Sequence, residues 1–237
     1  MKPMFERPHH RRIAEVLTSL DASVLAAHHC LFGGGTAMAL KFGEYRESVD
    51  IDFLVSDVTG YRHLRQLLTN AEGIAGLVRA DVAPLVQRGD SRADQYGIRL
   101  RLLVDGEEIK FEIVLEGRIA LEAPEAGDAI CGVPTLTPLD MATSKLLANA
   151  DRWGDDGVFA RDLIDLAMMR PALPLLTLAV TKAERAYGPS IRTDLGKAIE
   201  RARTRHNWLE RCMQAMAMAM PKALLWQRIR ALQRVLR

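Results

Sequence analysis

The chain has 237 residues, the size of one large domain or two small ones, and about half of them are apolar, enough to bury a sizeable core. Charged residues stand at an ordinary 26%, and no stretch reaches the ~18 consecutive apolar residues of a membrane span, which argues against intrinsic disorder and a transmembrane helix. The net charge of +2 hides an asymmetry: residues 182–237 hold 13 Lys+Arg against 4 Asp+Glu, a net of +9, leaving −7 on residues 1–181. An acidic body with a basic C-terminal region suits a polyanion such as RNA, or else marks the solvated face of ordinary helices. Cys30, Cys131 and Cys212 lie far apart, without metal-ligand spacing and in odd number, which reads as a reducing, cytoplasmic setting. The opening MKPMFERPHHRR carries charge without the apolar run of a signal peptide.

In chain order, residues 10–28 read as a helix, with Ile13, Val16, Leu17 and Leu20 at helical spacing. His9-His10 and His28-His29 would point to different sides of it and read as structural. The apolar run Cys30-Leu31-Phe32 leads into Gly33-Gly34-Gly35, and a helix is expected from Thr36 to Phe42. The glycines let the backbone approach a ligand closely and adopt positive φ. A helix N-terminus offers unpaired N–H groups and a positive dipole end to phosphate, and the Thr36 hydroxyl adds a donor. A tight turn with no ligand is the plainer reading of the glycines alone.

Ser48–Val55 alternates as a strand. On it Asp50 and Asp52 would project from one face, about 6–7 Å apart along the chain, with Ile51, Phe53 and Val55 facing the core. Two aligned carboxylates repel unless a cation lies between them. Mg²⁺ on one or two carboxylates plus substrate phosphates is the natural solution. A helix is expected near 59–72. Arg99–Val104 and Ile109–Leu115 form a hairpin about Asp105-Gly106. In its second strand Phe111 and Ile113 face the core and Glu112 the other way, as a third metal ligand or a general base requires. Arg99 and Arg101 on the partner strand could balance it.

Thr137 as N-cap, Pro138 at the first helical position and Asp140 in the first turn open a long helix. Lys145, Asn149 and Arg152 share one face of it, a stripe suited to the β- and γ-phosphates, and Asp162 could anchor Lys145 or Arg152. The rest is helical, with breaks near Pro171–Pro174, Gly188-Pro189 and Pro221. The order is a mixed α/β half, about 1–130, and a helical half, 131–237: an α+β chain.

The stretch FGGGTAMALKFGEYRESVDIDF resembles the first motif of the DNA polymerase β-like nucleotidyltransferase superfamily. More narrowly, GGTAMAL with RESVDIDF is similar to the AbiEii-type toxins, the nucleotidyltransferase half of type IV toxin–antitoxin and phage-abortive systems. IKFEI resembles that family's later acidic strand, and KLLANADRW with RDLIDLAMM its helical motif. The resemblance implies a nucleotidyltransferase-type mixed sheet flanked by helices and followed by a helical C-terminal half that completes a cleft. It implies that Gly34, Gly35 and Thr36 cradle a nucleoside triphosphate, with Ser48, Lys145 and Arg152 also on the nucleotide. Asp50 and Asp52 would hold Mg²⁺, and Glu112 would fill the third acidic position, where many superfamily members have Asp. Lys145 would contact phosphate and Asp162 would complete the catalytic set. The expected reaction moves a nucleotide from an NTP to an RNA hydroxyl, a tRNA 3′ end, with a cognate antitoxin as partner and no membrane. Transfer to a small molecule or a protein hydroxyl, or a non-catalytic module that keeps the fold, are the alternatives. A glycosyltransferase using Asp-x-Asp lacks support from a glycine turn placed before the acids.

Overall fold

Strand alternation in the first part of the chain and helical periodicity in the second build two compact units in the computed structural model, which describes residues 4–236. The first unit takes the chain up to Lys41 together with Ser48–Thr137; the second takes Phe42–Glu47 together with the chain from Pro138 onward.

The first unit contains α1 (Pro8–Ser19), α2 (Ala22–Ala27), β1 (Leu31–Gly33), α3 (Gly34–Lys41), β2 (Ile51–Val55), α4 (Val58–Thr69), β3 (Val86–Gln87), β4 (Arg92–Ala93), β5 (Gly97–Val104) and β6 (Glu107–Leu115). Its sheet runs β1-β2-β6-β5-β3, with β4 also on β5. Among the strands of this sheet β2 and β6 pair in parallel and the other pairs are antiparallel. One face is apolar: Phe32, Phe53 and Phe111 are fully buried, with ring centroids 5.5 and 5.4 Å apart. Each such side chain contributes about 1.5–3 kcal/mol by leaving water. The tight turn of the β5–β6 hairpin holds Asp105 at φ 51° and Gly106 at φ 81°, the left-handed pair of a type I′ turn.

The helix expected over 10–28 is two helices. The Asp21 carboxylate accepts the Ser23 and Val24 N–H groups at 2.8 and 3.3 Å, and this side-chain cap starts a new helix where continuous periodicity suggested none. Helix α3 starts at Gly34, two residues before the expected start. Strand β2 starts at Ile51, so Ser48 and Asp50 lie outside the strand expected to hold them. Side chains, not a ladder, fix that approach: Thr36 Oγ1 donates to the Asp50 carbonyl at 2.5 Å, and the Ser48 N–H donates to His10 Nε2 at 3.2 Å. His9 Nε2 reaches the Val49 carbonyl at 3.0 Å, so both N-terminal histidines have the structural role expected of them.

The second unit is helical: α5 (Pro138–Arg152), α6 (Arg161–Met169), α7 (Leu173–Tyr187), α8 (Ser190–Thr204), α9 (Trp208–Ala215) and α10 (Lys222–Ala231). Helix α5 packs against α6, α7 and α8. The breaks fall at the expected prolines, and two more fall before Arg161, where Phe159 and Ala160 turn left-handed at φ 54° and 51°, and before Trp208, where Asn207 does so at φ 52°. Among the described residues, no helix is long and apolar enough to cross a membrane.

Candidate active site

In the first unit the register lines up the expected groups. Gly33 lies opposite Asp52 across β1 and β2, Asp52 opposite Glu112 across β2 and β6, and Glu112 opposite Arg99 across β6 and β5. Side chains directly opposite in a sheet share a face. The end of the glycine strand, the second aspartate and the third acid therefore form one row, on the face away from the three phenylalanines.

Glycine is required beside that row. Gly34 holds φ +68°, and a Cβ there would stand 2.8 Å from Asp52 Cβ and closer still to Asp52 Oδ2. A Cβ on Gly33 would collide with Leu54 and Leu136. The turn is thus built against the aspartate, and the two motifs are one structure. Gly34 and Gly35 are partly exposed in the first turn of α3, where backbone N–H groups lack helical partners. Thr36 differs from the expectation. It is fully buried, and its hydroxyl bonds Ser48 Oγ at 2.8 Å as well as the Asp50 carbonyl. Thr36 and Ser48 shape the loop that carries Asp50; the Thr36 hydroxyl does not face solvent.

Glu112 is half-buried and already engaged: its carboxylate accepts Arg99 Nε at 2.6 Å and Lys110 Nζ at 2.5 Å. The hydrogen bond to Glu112 holds the Lys110 ammonium above the ordinary lysine value against the cost of burial, and the charges of Asp50 and Asp52 add to the pull. Lys110 thus stands in the field of all three acids. Arg99 balances Glu112 as expected, but Arg101 does not; it pairs with Glu108 at 2.8 Å. Among the described residues, no group of three or more His, Cys, Asp or Glu converges to hold a metal ion. In this structure the Glu112 carboxylate is paired with two cations, Arg99 and Lys110. Asp50 and Asp52 still supply hard oxygens at i and i+2, the one- or two-carboxylate donor set that suits a divalent ion completed by substrate phosphates.

In the second unit the residues close into a buried network. Asp162 and Asp165 sit at i and i+3 on α6 and share one face. Lys145 Nζ lies 3.1 Å from Asp162 Oδ1 and 2.7 Å from Asp165 Oδ2. Arg152 grips both oxygens of Asp162 at 2.7 and 3.0 Å, so Asp162 anchors Lys145 and Arg152 together. Arg46 grips Asp165 in the same bidentate way at 2.6 and 3.0 Å, and the Tyr45 hydroxyl donates to Asp165 at 2.6 Å. Burial raises the Asp165 carboxyl, but Arg46 and Lys145 more than offset it and hold it well below the ordinary aspartate range. Asp162 is lowered in the same way, against burial, by Lys145 and Arg152. Burial and the neighbouring Asp165 push the Tyr45 phenol well up. Of the expected stripe, Lys145 and Asn149 are buried and Arg152 is half-buried.

Sequence reasoning missed Tyr45, Arg46 and Lys110. Lys110 was within its reach, since it stands at i−2 from Glu112 as Asp50 does from Asp52. Tyr45 and Arg46 lie in a loop without periodicity, and nothing local announces their partner.

A family model described as nucleotidyl transferase AbiEii toxin, type IV toxin–antitoxin system, matches residues 16–234. A candidate nucleotidyltransferase from Helicobacter pylori shares the fold at TM-score 0.51 and 17% identity, over 94% of this chain and 95% of that one. The protein JHP933 from Helicobacter pylori does so at TM-score 0.52 and 15% identity, over 98% and 94%. No curated protein matches the chain. Nucleotidyltransferases of this kind generally use a divalent metal. A glycine turn fitted to an aspartate, an acid opposite it on the next strand and a family match across nearly the whole chain lead to one assignment: the protein is a nucleotidyltransferase of the AbiEii toxin family of type IV toxin–antitoxin systems.

Proposed function

We propose that the protein transfers a nucleotide from an NTP to an RNA hydroxyl, at a tRNA 3′ end, in a Mg²⁺-dependent reaction, and that a cognate antitoxin opposes it. The observation that carries the reading is the row Gly33, Asp52 and Glu112 with Gly34 pressed against Asp52. The first-turn N–H groups at Gly34 and Gly35 bind the triphosphate. Asp50 and Asp52 hold the ion, which when bound neutralises charge on the phosphate oxygens. Glu112 orients the acceptor hydroxyl for in-line attack on the α-phosphate, with pyrophosphate leaving. Lys145 spends two of its three ammonium donors on Asp162 and Asp165. Arg152 and Asp162 position Lys145, and Thr36 and Ser48 position Asp50.

The test is incubation of the full chain with total RNA, Mg²⁺ and each labelled NTP in turn, with a magnesium-free control. Label appearing in tRNA, and only with the metal, is the expected result. Label in protein or in a small hydroxyl compound would move the acceptor, and no label with any NTP would remove the reaction.

A further inference from the structure

We infer that the sheet face beside the acid row binds the phosphodiester backbone of the acceptor RNA, in a groove lined by Arg88, Arg92, Arg99, Arg101 and Lys110. The inference rests on the RNA reading proposed above and gives it a surface. The groove has a volume of about 420 Å³, and Asp90 also lines it. Register puts its cations on the same face as the acids. Arg92 lies opposite Arg99, so the row reads Gly33, Asp52, Glu112, Arg99, Arg92 across five strands. Arg101 lies opposite Lys110 in the next same-face row, and the Arg88 N–H donates to the Arg101 carbonyl at 2.9 Å. At ~4.8 Å per strand, Arg92 stands about 14 Å from Asp52. An RNA chain that presents its 3′-terminal hydroxyl at Asp52 and Glu112 would lay the phosphates on its 5′ side along these side chains.

These cations have carboxylate neighbours. Arg88 and Arg101 share Glu108, Arg99 bridges Asp94 and Glu112, and Lys110 holds Glu112. Such exposed pairs are weak and yield to a polyanion. A guanidinium carries five donors and a carboxylate takes two, so paired arginines remain able to grip phosphate. Side-chain exposures of 42–68% at Arg88, Arg99, Arg101 and Lys110 leave them open to solvent.

The basic C-terminal region is the competing surface, and many of its cations carry carboxylate partners too, so pairing alone does not separate the two surfaces. Arg201 and Arg205 pair with Asp156 and lie 4.8 and 4.4 Å over the buried Trp208 ring. Arg192 holds Glu184, Arg203 holds Glu200 and Lys222 holds Glu210. The groove continues directly into the acid row, since its Arg99 and Lys110 both bond Glu112.

The test compares the full chain with Arg88→Ala/Arg92→Ala/Arg101→Ala and with Arg185→Ala/Arg211→Ala/Arg230→Ala in the C-terminal region. Anisotropy of fluorescent tRNA is read across a NaCl series, beside thermal melting, NTP binding and the KM for RNA. For the groove variant the expected result is about tenfold weaker RNA binding and a salt slope shallower by about 2, with a raised KM for RNA and unchanged NTP binding and melting. The C-terminal variant should bind like wild type. Wild-type affinity and slope in the groove variant, or loss confined to the C-terminal variant, overturns the inference and leaves the acceptor reading standing. Wild-type protein that labels protein instead of RNA overturns both.

Discussion

Gly34 shows how one missing side chain joins two motifs. Its positive φ costs any other residue about 1–2 kcal/mol, and its absent Cβ is the space that Asp52 fills. Gly43 has φ +86° with nothing within 4 Å of the equivalent position, so it is a matched control. Gly34→Ala and Gly43→Ala should both lose stability in denaturant titrations, Gly34→Ala the more because its Cβ meets Asp52, and only Gly34→Ala should lose nucleotide transfer, by about tenfold or more. Equal activity in the two variants would mean that the close approach to Asp52 does not matter. Asp52→Asn keeps the shape of the row and removes its charge. It should melt like wild type and lower the transfer rate by about 10²-fold or more, the scale of a lost electrostatic contact in a reacting site.

At the scale of elements, α5 and α6 are held by charge as well as by apolar packing. Asp165 is fully buried and is the acceptor for Arg46, Lys145 and Tyr45. Removing one member of a buried pair strands the other, at a cost of about 3–5 kcal/mol. Asp165→Asn should therefore lower the stability of the helical unit by about that amount in urea unfolding, while Tyr45→Phe, which removes one neutral donor, should cost about 1 kcal/mol. Comparable losses for the two variants would show that Asp165 acts as an ordinary hydrogen-bond acceptor. The same logic separates Thr36 from a ligand contact: its hydroxyl holds the Asp50 carbonyl, so Thr36→Val should loosen the Ser48–Asp50 loop.

For the whole molecule, the buried aspartates set the acid limit of stability. The folded values of Asp162 and Asp165 lie below the ordinary 3.8. A depressed carboxyl contributes stability that is present above its unfolded value and lost as pH falls through its folded value. Stability should hold down to about pH 4 and fall steeply below it. Asp165→Asn should flatten that acid limb relative to wild type in denaturant midpoints measured against pH. An unchanged limb would place the acid sensitivity elsewhere, in the exposed pairs.

Local pattern determined a good deal of this protein. Alternation in 109–115 assigned Glu112 to the face away from the core, the Asp-Gly turn announced its hairpin, and Pro138 marked the start of α5. Each depends on neighbours a few residues apart, which a single periodicity can encode. Tertiary structure decided the rest. Asp52 lies opposite Glu112, 60 residues on, only through the parallel β2–β6 pairing, and a slip of one residue would turn the acid to the other face. The segment Phe42–Glu47 leaves the glycine motif's unit and takes Tyr45 and Arg46 to Asp165, well over a hundred residues away in sequence. The stripe of Lys145 and Asn149 turned inward because burial makes an unpaired charge costly, and the aspartates of α6 were there to pair it. Which face a side chain takes is a local matter; which partner it meets is settled by packing between segments that the sequence keeps far apart.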